Sequence, residues 1–258
     1  MNRIAKLFET KKDGILSVYF TAGYPAPDDT VPVIRELAAQ GVDMIEVGMP
    51  FSDPMADGPT IQHSGTVALR GGMTLGKLFE QLKDIRRDVE IPLVMMGYLN
   101  PVMQFGVENF CRACVAVGID GIIIPDLPFD DYLRDYKPLG EKYGLNFIML
   151  ITPKTSAERV RLIDEHTDGF IYMVSTASTT GARDRFSDET LDYFRQVDAM
   201  GLRNPRLIGF GISNPATFEA AQANASGAII GSHFIRLLGS SASVREAVTK
   251  LVCSLKGE

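Results

Sequence analysis

Residues 15–48 open with Ile15-Leu-Ser-Val-Tyr-Phe-Thr21 and close with Val42-Asp-Met-Ile-Glu-Val-Gly48. Both runs are short and mostly apolar, the composition of strands covered on both faces of a parallel sheet. Between them, residues 29–40 set Val, Ile and Leu at helical spacing among Arg, Glu and Gln, so the stretch reads as a β–α–β unit. The pattern then repeats. Residues 93–98, 119–124, 146–151, 169–174, 206–210 and 227–231 are further short apolar runs bounded by Gly, Pro or Asp. Helical spacing fills residues 75–87, 107–117, 132–143, 157–165, 188–200 and 216–223. Thr155-Ser156 before Ala157 and Ser213-Asn214-Pro215 before Ala216 are helix-start punctuation. Eight strands alternate with helices, without a Ser/Gly-rich linker or a shift of composition, which predicts an α/β fold: a single (β/α)8 TIM barrel over residues 1–258. The amphipathic start, Met1-Asn-Arg-Ile-Ala-Lys-Leu-Phe-Glu-Thr10, adds an extra N-terminal helix. An open doubly wound sheet competes, but it would want a Gly-rich turn after its first strand, and Ala22-Gly23-Tyr24-Pro25 is not one.

A chain of 258 residues has the usual length of one such barrel and can bury a large core without disulfide or metal. Its 45% hydrophobic and 22% charged residues are ordinary for a soluble globular protein. A formal net charge of −6, with no run of Lys and Arg, argues against a nucleic-acid partner. Cys111, Cys114 and Cys253 are too few, and odd in number, for a disulfide framework, and they fit a reducing compartment. Cys111 and Cys114 form a C-x-x-C, but inside a helical pattern whose i,i+3 spacing puts two small apolar residues on one buried face rather than building a redox or zinc site. The N-terminus lacks the apolar core of a signal peptide, and no apolar run approaches the roughly 18 residues of a membrane span. The expectation is a cytoplasmic protein with no membrane contact.

In a barrel the chemistry collects where strands end and their following loops begin. Within Val42-Asp-Met-Ile-Glu46-Val-Gly48, a carboxylate interrupts an apolar run two residues before the strand ends. Period two puts Met44, Glu46 and Gly48 on one face, directed either into the barrel top or toward the helices. A buried carboxylate must be paired, hydrogen-bonded or protonated, so Glu46 is either tied into the fold or a catalytic acid/base. The following loop, Met49-Pro-Phe-Ser-Asp53-Pro-Met-Ala-Asp57-Gly-Pro59, holds two more carboxylates and three prolines that stiffen it. Asp57-Gly58 can be a plain turn capped by Asp53, or Asp57 can join Glu46 in the chemistry. Gly209-Phe-Gly211-Ile-Ser213 after strand seven and Gly231-Ser232 after strand eight are glycine turns placed where barrels bind phosphate. His63, His166 and His233 lack metal-ligand spacing, Lys137 and Lys154 fall in helix or loop rather than at a strand end, and no Ser sits in a nucleophile elbow. Metal and Schiff-base chemistry are not expected.

The segment Ile45-Glu46-Val-Gly-Met-Pro-Phe-Ser-Asp53-Pro-Met-Ala-Asp57-Gly-Pro-Thr-Ile-Gln62 closely resembles the signature of the tryptophan synthase α chain family. Phe20-Thr-Ala-Gly23-Tyr-Pro25, Met96-Gly-Tyr98-Leu-Asn100-Pro101, Pro125-Asp126-Leu-Pro128, Gly209-Phe-Gly-Ile-Ser213 and Gly231-Ser232 follow in the family's order, covering the chain from about residue 4 to its end. The resemblance implies a lyase of tryptophan biosynthesis that cleaves indole-3-glycerol phosphate into indole and glyceraldehyde 3-phosphate. By it, Glu46 is the acid/base that protonates indole C3 and helps remove the glycerol hydroxyl proton, and Asp57 accepts or stabilises the proton on the indole nitrogen. The indole pocket would map onto Tyr19, Met96, Leu127 and Phe210, with Tyr172 and Thr180 bordering the substrate, and the phosphate site onto Gly181, Gly211, Ile212, Gly231 and Ser232. It also implies a β-chain partner in an α2β2 assembly, met through Pro50, Asp53, Asn100 and Pro128, with indole passing through a tunnel. The pyridoxal phosphate belongs to that partner, and no cofactor is implied for this chain.

One segment departs from the family. Its usual Tyr-x-x-Ser-Arg-x-Gly-Val-Thr-Gly is here Tyr172-Met-Val-Ser175-Thr176-Ala-Ser178-Thr179-Thr180-Gly181, so Thr176 replaces the Arg and Ser178 the first Gly. The segment is the family's lid, and its divergence implies weaker closure or the use of Arg183 or Arg185 instead. It leaves open a catalytically weak α-type subunit that mainly binds and activates the β chain.

Overall fold

The computed structural model describes residues 2–175 and 185–256. Its strands are β1 (Ile15–Thr21), β2 (Met44–Gly48), β3 (Leu93–Met96), β4 (Gly121–Ile123), β5 (Asn146–Ile148), β6 (Leu150–Ile151), β7 (Ile171–Val174), β8 (Arg206–Gly209) and β9 (Gly227–Ile230). They form one sheet in the order β5-β4-β3-β2-β1-β9-β8-β7-β6, with every neighbouring pair parallel. Only Met149 separates β5 from β6, so the two ends of that order are consecutive in the chain and the sheet closes on itself. Taken as one stave, β5 and β6 complete the eight of a (β/α)8 barrel.

The run 146–151, expected as one strand, is split because its halves pair with different neighbours. Ile148 lies beside Ile123 of β4, while Leu150 lies beside Tyr172 of β7, and Met149 between them accepts the Tyr172 N–H at 3.0 Å. β1 fills its apolar run, and the remaining strands are one to three residues shorter than theirs, at one end or both, where the sheet ladder gives way to turns.

The helices are α1 (Arg3–Thr10), α2 (Thr30–Ala39), α3 (Pro59–Arg70), α4 (Leu75–Leu82), α5 (Leu99–Phe105), α6 (Val107–Ala116), α7 (Phe129–Asp131), α8 (Lys137–Tyr143), α9 (Ala157–His166), α10 (Asp188–Asp198), α11 (Pro215–Gln222), α12 (Ser232–Ser240) and α13 (Val244–Lys256). Thr74, Ser156, Ser187 and Asn214 cap four of them, each side chain accepting a first-turn N–H. The expected helix over residues 75–87 ends at Leu82 and resumes as a 3₁₀ turn, Ile85–Arg87, so that Arg86 can turn inward and bond the carbonyls of Gly118, Val89 and Ile91. The expected helix over 132–143 starts three residues earlier and carries a π turn, Tyr132–Tyr136, just before Pro138. Proline has no N–H to bond and crowds the carbonyl four residues back, and the wider turn makes room for it. The sequence pattern did not signal α5 and α13. Cys111 and Cys114 are buried on α6, as their spacing implied.

The extra helix α1 closes the N-terminal end of the barrel. Ile4 and Phe8, four apart, form its buried face. Ile4 Cδ1 would stand 2.9 Å from any Cβ at residue 121, so glycine there admits the plug, and the Phe8 ring lies 6.1 Å from that of Phe170. Beneath it Asp120, almost wholly buried, accepts from Arg3 at 3.1 Å, Arg86 at 2.6 Å and the Leu93 N–H at 3.0 Å. The buried charge is thus paired and hydrogen-bonded. With one end of the barrel plugged, chemistry is left to the other.

Candidate active site

At the C-terminal ends of the strands, a cleft is lined by Tyr19, Asp57, Ile61, Met96, Tyr172, Phe210, Gly211, Ile212, Ile229, Gly231 and Ser232. Its walls come from β1, β3, β7 and β9, from the loops that follow β2 and β8, and from α3 and the turn that leads from β9 into α12.

Glu46 sits beneath this cleft. On β2 it lies opposite Tyr19 of β1 and Val94 of β3, and none of it reaches solvent. The register therefore settles its direction: into the barrel, not toward the helices. The Ser17 hydroxyl donates to Oε1 at 3.0 Å, and Oε2 is buried with no partner among the described residues. Burial pushes its pKa up to about 8, against a smaller opposing effect of the Ser17 bond. Among the described residues no Lys and no backbone amide partners its carboxyl.

Asp57 reaches the cleft from the loop between β2 and α3. That loop is folded on itself by Met55 N–H to Asp53 O and Asp57 N–H to Pro54 O, and Gly58 with Pro59 at the first helical position turns it into α3. The Tyr98 hydroxyl donates to Asp57 Oδ2 at 3.0 Å and accepts the Ala56 N–H at 3.0 Å, while its ring packs 5.3 Å from Phe51. Burial raises the Asp57 carboxyl to about 6, and the Tyr98 bond works against that rise. The two carboxyls therefore differ in protonation at neutral pH: Glu46 keeps its proton and Asp57 does not. The phenols of Tyr19 and Tyr172 stay neutral, raised first by burial and then by the nearby carboxylates.

Two glycines seat those phenols. A Cβ at Gly48 would fall on the ring and hydroxyl of Tyr19, and one at Gly209 on those of Tyr172. After β8 the chain turns through Phe210 and Gly211 at φ 69° and 79°. For a bulky residue that conformation is strained, by about 1–3 kcal/mol. Ser175 holds it, its hydroxyl donating to Phe210 O at 2.6 Å, and the Phe210 ring meets Tyr172 edge-on at 6.2 Å. The turn puts an aromatic side chain and the following main chain on the cleft wall. On the neighbouring stave, α12 begins after Gly231 with no side-chain cap, so its first-turn N–H groups and dipole can take an anion. The cleft thus joins an aromatic, apolar wall to backbone N–H groups that suit a phosphate.

Of the sequence candidates, Tyr19, Asp57, Met96, Tyr172, Phe210, Gly211, Ile212, Gly231 and Ser232 share this cleft. Glu46 lies below its wall, and Leu127 is buried in the turn after β4 without lining it. Thr180, Gly181 and Arg183 lie outside the described residues, and Arg185 is exposed at their edge. Ser17, Tyr98, Ile61 and Ile229 were given no role by the sequence. Ser17 carried a faint signal, as a hydroxyl inside an apolar strand, and Tyr98 another, as a polar aromatic just past a strand end. On the same rim Asp53, Asn100 and Pro128 are exposed and Pro50 is half-buried, together with two bare methionines, Met55 at 90% and Met103 at 58% exposure. Among the described residues no cluster of His, Cys, Asp or Glu could hold a metal ion, and no helix is long and apolar enough to cross a membrane.

The family model described as tryptophan synthase alpha chain matches residues 5–257. The chain is 62% identical over 256 residues to the tryptophan synthase alpha chain of Parabacteroides distasonis, covering 99% of this chain and 100% of that one. It is 61% identical to the same protein of Bacteroides thetaiotaomicron, with the same coverage. Among solved structures, tryptophan synthase subunit alpha from Legionella pneumophila superposes with a TM-score of 0.87 at 35% identity, over 100% of this chain and 98% of that one. A chain in the tryptophan synthase complex from Pyrococcus furiosus gives 0.84 at 33% identity, over 96% and 99%.

Proposed function

The chain belongs to the tryptophan synthase alpha chain family, a lyase family of tryptophan biosynthesis, and from that premise we propose that Glu46 and Asp57 are its acid/base pair. The reaction is the cleavage of indole-3-glycerol phosphate into indole and glyceraldehyde 3-phosphate. Breaking that carbon–carbon bond without a metal or Schiff base needs an electron sink, which indole becomes once C3 is protonated. Glu46, protonated at neutral pH, gives its proton to C3, and ionised Asp57 stabilises the positive charge at the ring N–H. The Glu46 carboxylate left behind takes the proton of the glycerol hydroxyl next to the ring. As that hydroxyl becomes an aldehyde, the pair of the breaking bond returns to the ring, restoring neutral indole and protonated Glu46.

The indole would lie among Tyr19, Met96, Leu127, Tyr172 and Phe210, the phosphate at Gly181, Gly211, Ile212, Gly231 and Ser232, and Thr180 would also bind the substrate. The observation that carries this reading is the placement of two carboxyls, Asp57 on the cleft wall and Glu46 buried beneath it with Oε2 unpartnered among the described residues.

The partner is a β chain in an α2β2 assembly, docked on Pro50, Asp53, Asn100 and Pro128. Exposed Met55 and Met103 on the same rim support such a face, since bare methionines suit an adaptable apolar contact. Pyridoxal phosphate belongs to that β chain, and the chemistry above asks for no cofactor in this one. The cytoplasm, where substrate and partner would meet, is the location that fits. The test is indole release from indole-3-glycerol phosphate by wild type and Glu46→Gln, with and without a β chain. Release that vanishes in the variant and rises with the partner is the expected result. Undiminished release by Glu46→Gln would remove Glu46 from the mechanism, and no release by wild type, with the β chain still activated, would leave a binding subunit.

A further inference from the structure

Ser17 breaks the apolar run of β1. It is fully buried, and its hydroxyl is spent on Glu46 Oε1 at 3.0 Å. In the register of β1 and β2, Tyr19 stands opposite Glu46 and Ser17 opposite Met44, so Ser17 approaches the carboxyl diagonally, from the plugged end of the barrel. Glu46 Oε2, equally buried, has no partner among the described residues.

In a neutral carboxyl one oxygen is the carbonyl, which accepts, and the other carries the proton, which donates. An oxygen that already accepts from Ser17 is the carbonyl one, so the proton belongs on Oε2. Without that donor the two oxygens are equivalent, and the terminal torsion of a glutamate is broad. We propose that Ser17 is a positioning residue for the cleavage: it holds Oε1 from below, so that Oε2 is the oxygen that exchanges protons with the substrate. The same bond remains after Oε2 gives up its proton and then stabilises the carboxylate. This assignment rests on Glu46 being the acid/base of the reaction. The other groups facing Glu46 are the phenols of Tyr19 on β1 and Tyr172 on β7, with Asp57 beyond them, while β3 sets only Val94 beside it. Neither phenol ionises in the working range, so the pH response of the site falls to Glu46 and Asp57.

The experiment uses the full chain as Ser17→Ala, Ser17→Cys and Ser17→Thr, with Glu46→Gln as the blank. Indole is the binding probe. Its affinity is measured from pH 5 to 10, and the transition absent in Glu46→Gln is that of Glu46. Cleavage of indole-3-glycerol phosphate supplies kcat and KM. Losing a hydrogen bond to the charged form moves the Glu46 transition upward by about one pH unit and lowers kcat by about tenfold, with KM little changed. Ser17→Cys keeps the volume but donates weakly, so it follows Ser17→Ala, and Ser17→Thr recovers both quantities. The proposal is overturned if folded Ser17→Ala or Ser17→Cys keeps the wild-type transition and kcat, which would leave Ser17 a packing residue. It is also overturned if folded Ser17→Thr stays at the alanine values. Cleavage that survives in Glu46→Gln would instead remove the acid/base role on which the assignment rests.

Discussion

Replacing Glu46 by Gln keeps the shape of the side chain and removes the titrating proton from a site no solvent reaches. In the unfolded chain Glu46 titrates near the ordinary 4.5, and in the fold burial holds it up at about 8. Because the folded value is the higher one, the contribution of this group to stability is whole below about pH 4.5 and is lost as pH rises through about 8. Between those limits the unfolded chain has released a proton that the fold still holds, and each pH unit weakens the fold by about 1.4 kcal/mol. The accumulated penalty is on the order of 3 kcal/mol at pH 7 and on the order of 5 kcal/mol above pH 8. The glutamine variant has no titrating group there and escapes it. Its amide brings N–H donors to a place where Oε2 had no partner, which costs about 1–3 kcal/mol at every pH and so shifts the comparison without changing its slope. The assay is urea unfolding of both proteins from pH 5 to 9. The expected result is a stability difference that moves toward the variant by about 1.4 kcal/mol per pH unit up to pH 7.5 and levels off above about 8.5. A difference independent of pH would refute burial as the cause of the raised carboxyl.

Tyr98→Phe removes the hydroxyl that supports ionised Asp57, which should climb from about 6 by about one further pH unit. The ionised fraction then drops about fivefold at pH 6 and hardly at all at pH 8, and kcat/KM for indole release should follow it; an equal loss at both pH values would mean that Tyr98 acts through packing alone. Gly209→Ala drives a methyl into the Tyr172 ring and hydroxyl and should push that ring into the cleft, raising KM for indole-3-glycerol phosphate by about tenfold and lowering stability by about 1–3 kcal/mol. An unchanged KM in that variant would show that Tyr172 yields without narrowing the cleft.

The alternation of short apolar runs with helical stretches was enough to establish the barrel, because strand and helix periods are properties of consecutive residues. The same local logic placed Glu46 near a strand end, Asp57 on the next loop and the glycine turns after the last two strands, whereas Tyr19, Met96, Tyr172 and Phe210 were assigned to the site only by the family resemblance. Element interiors were read better than element limits. The break at Met149, the stop at Leu82 and the π turn before Pro138 depend on which neighbour a strand pairs with or where one side chain must go, and no local period records that.

The sequence determined by itself that this chain is one barrel with a carboxylate near the end of its second strand and another on the loop that follows. Only the tertiary structure decided what those carboxylates are. Glu46 meets its hydroxyl donor 29 residues away on the neighbouring strand, and Asp57 meets Tyr98 from 41 residues away. A carboxyl's protonation is set by how much water it has lost and who donates to it, and both are fixed by segments that become neighbours only when the barrel closes.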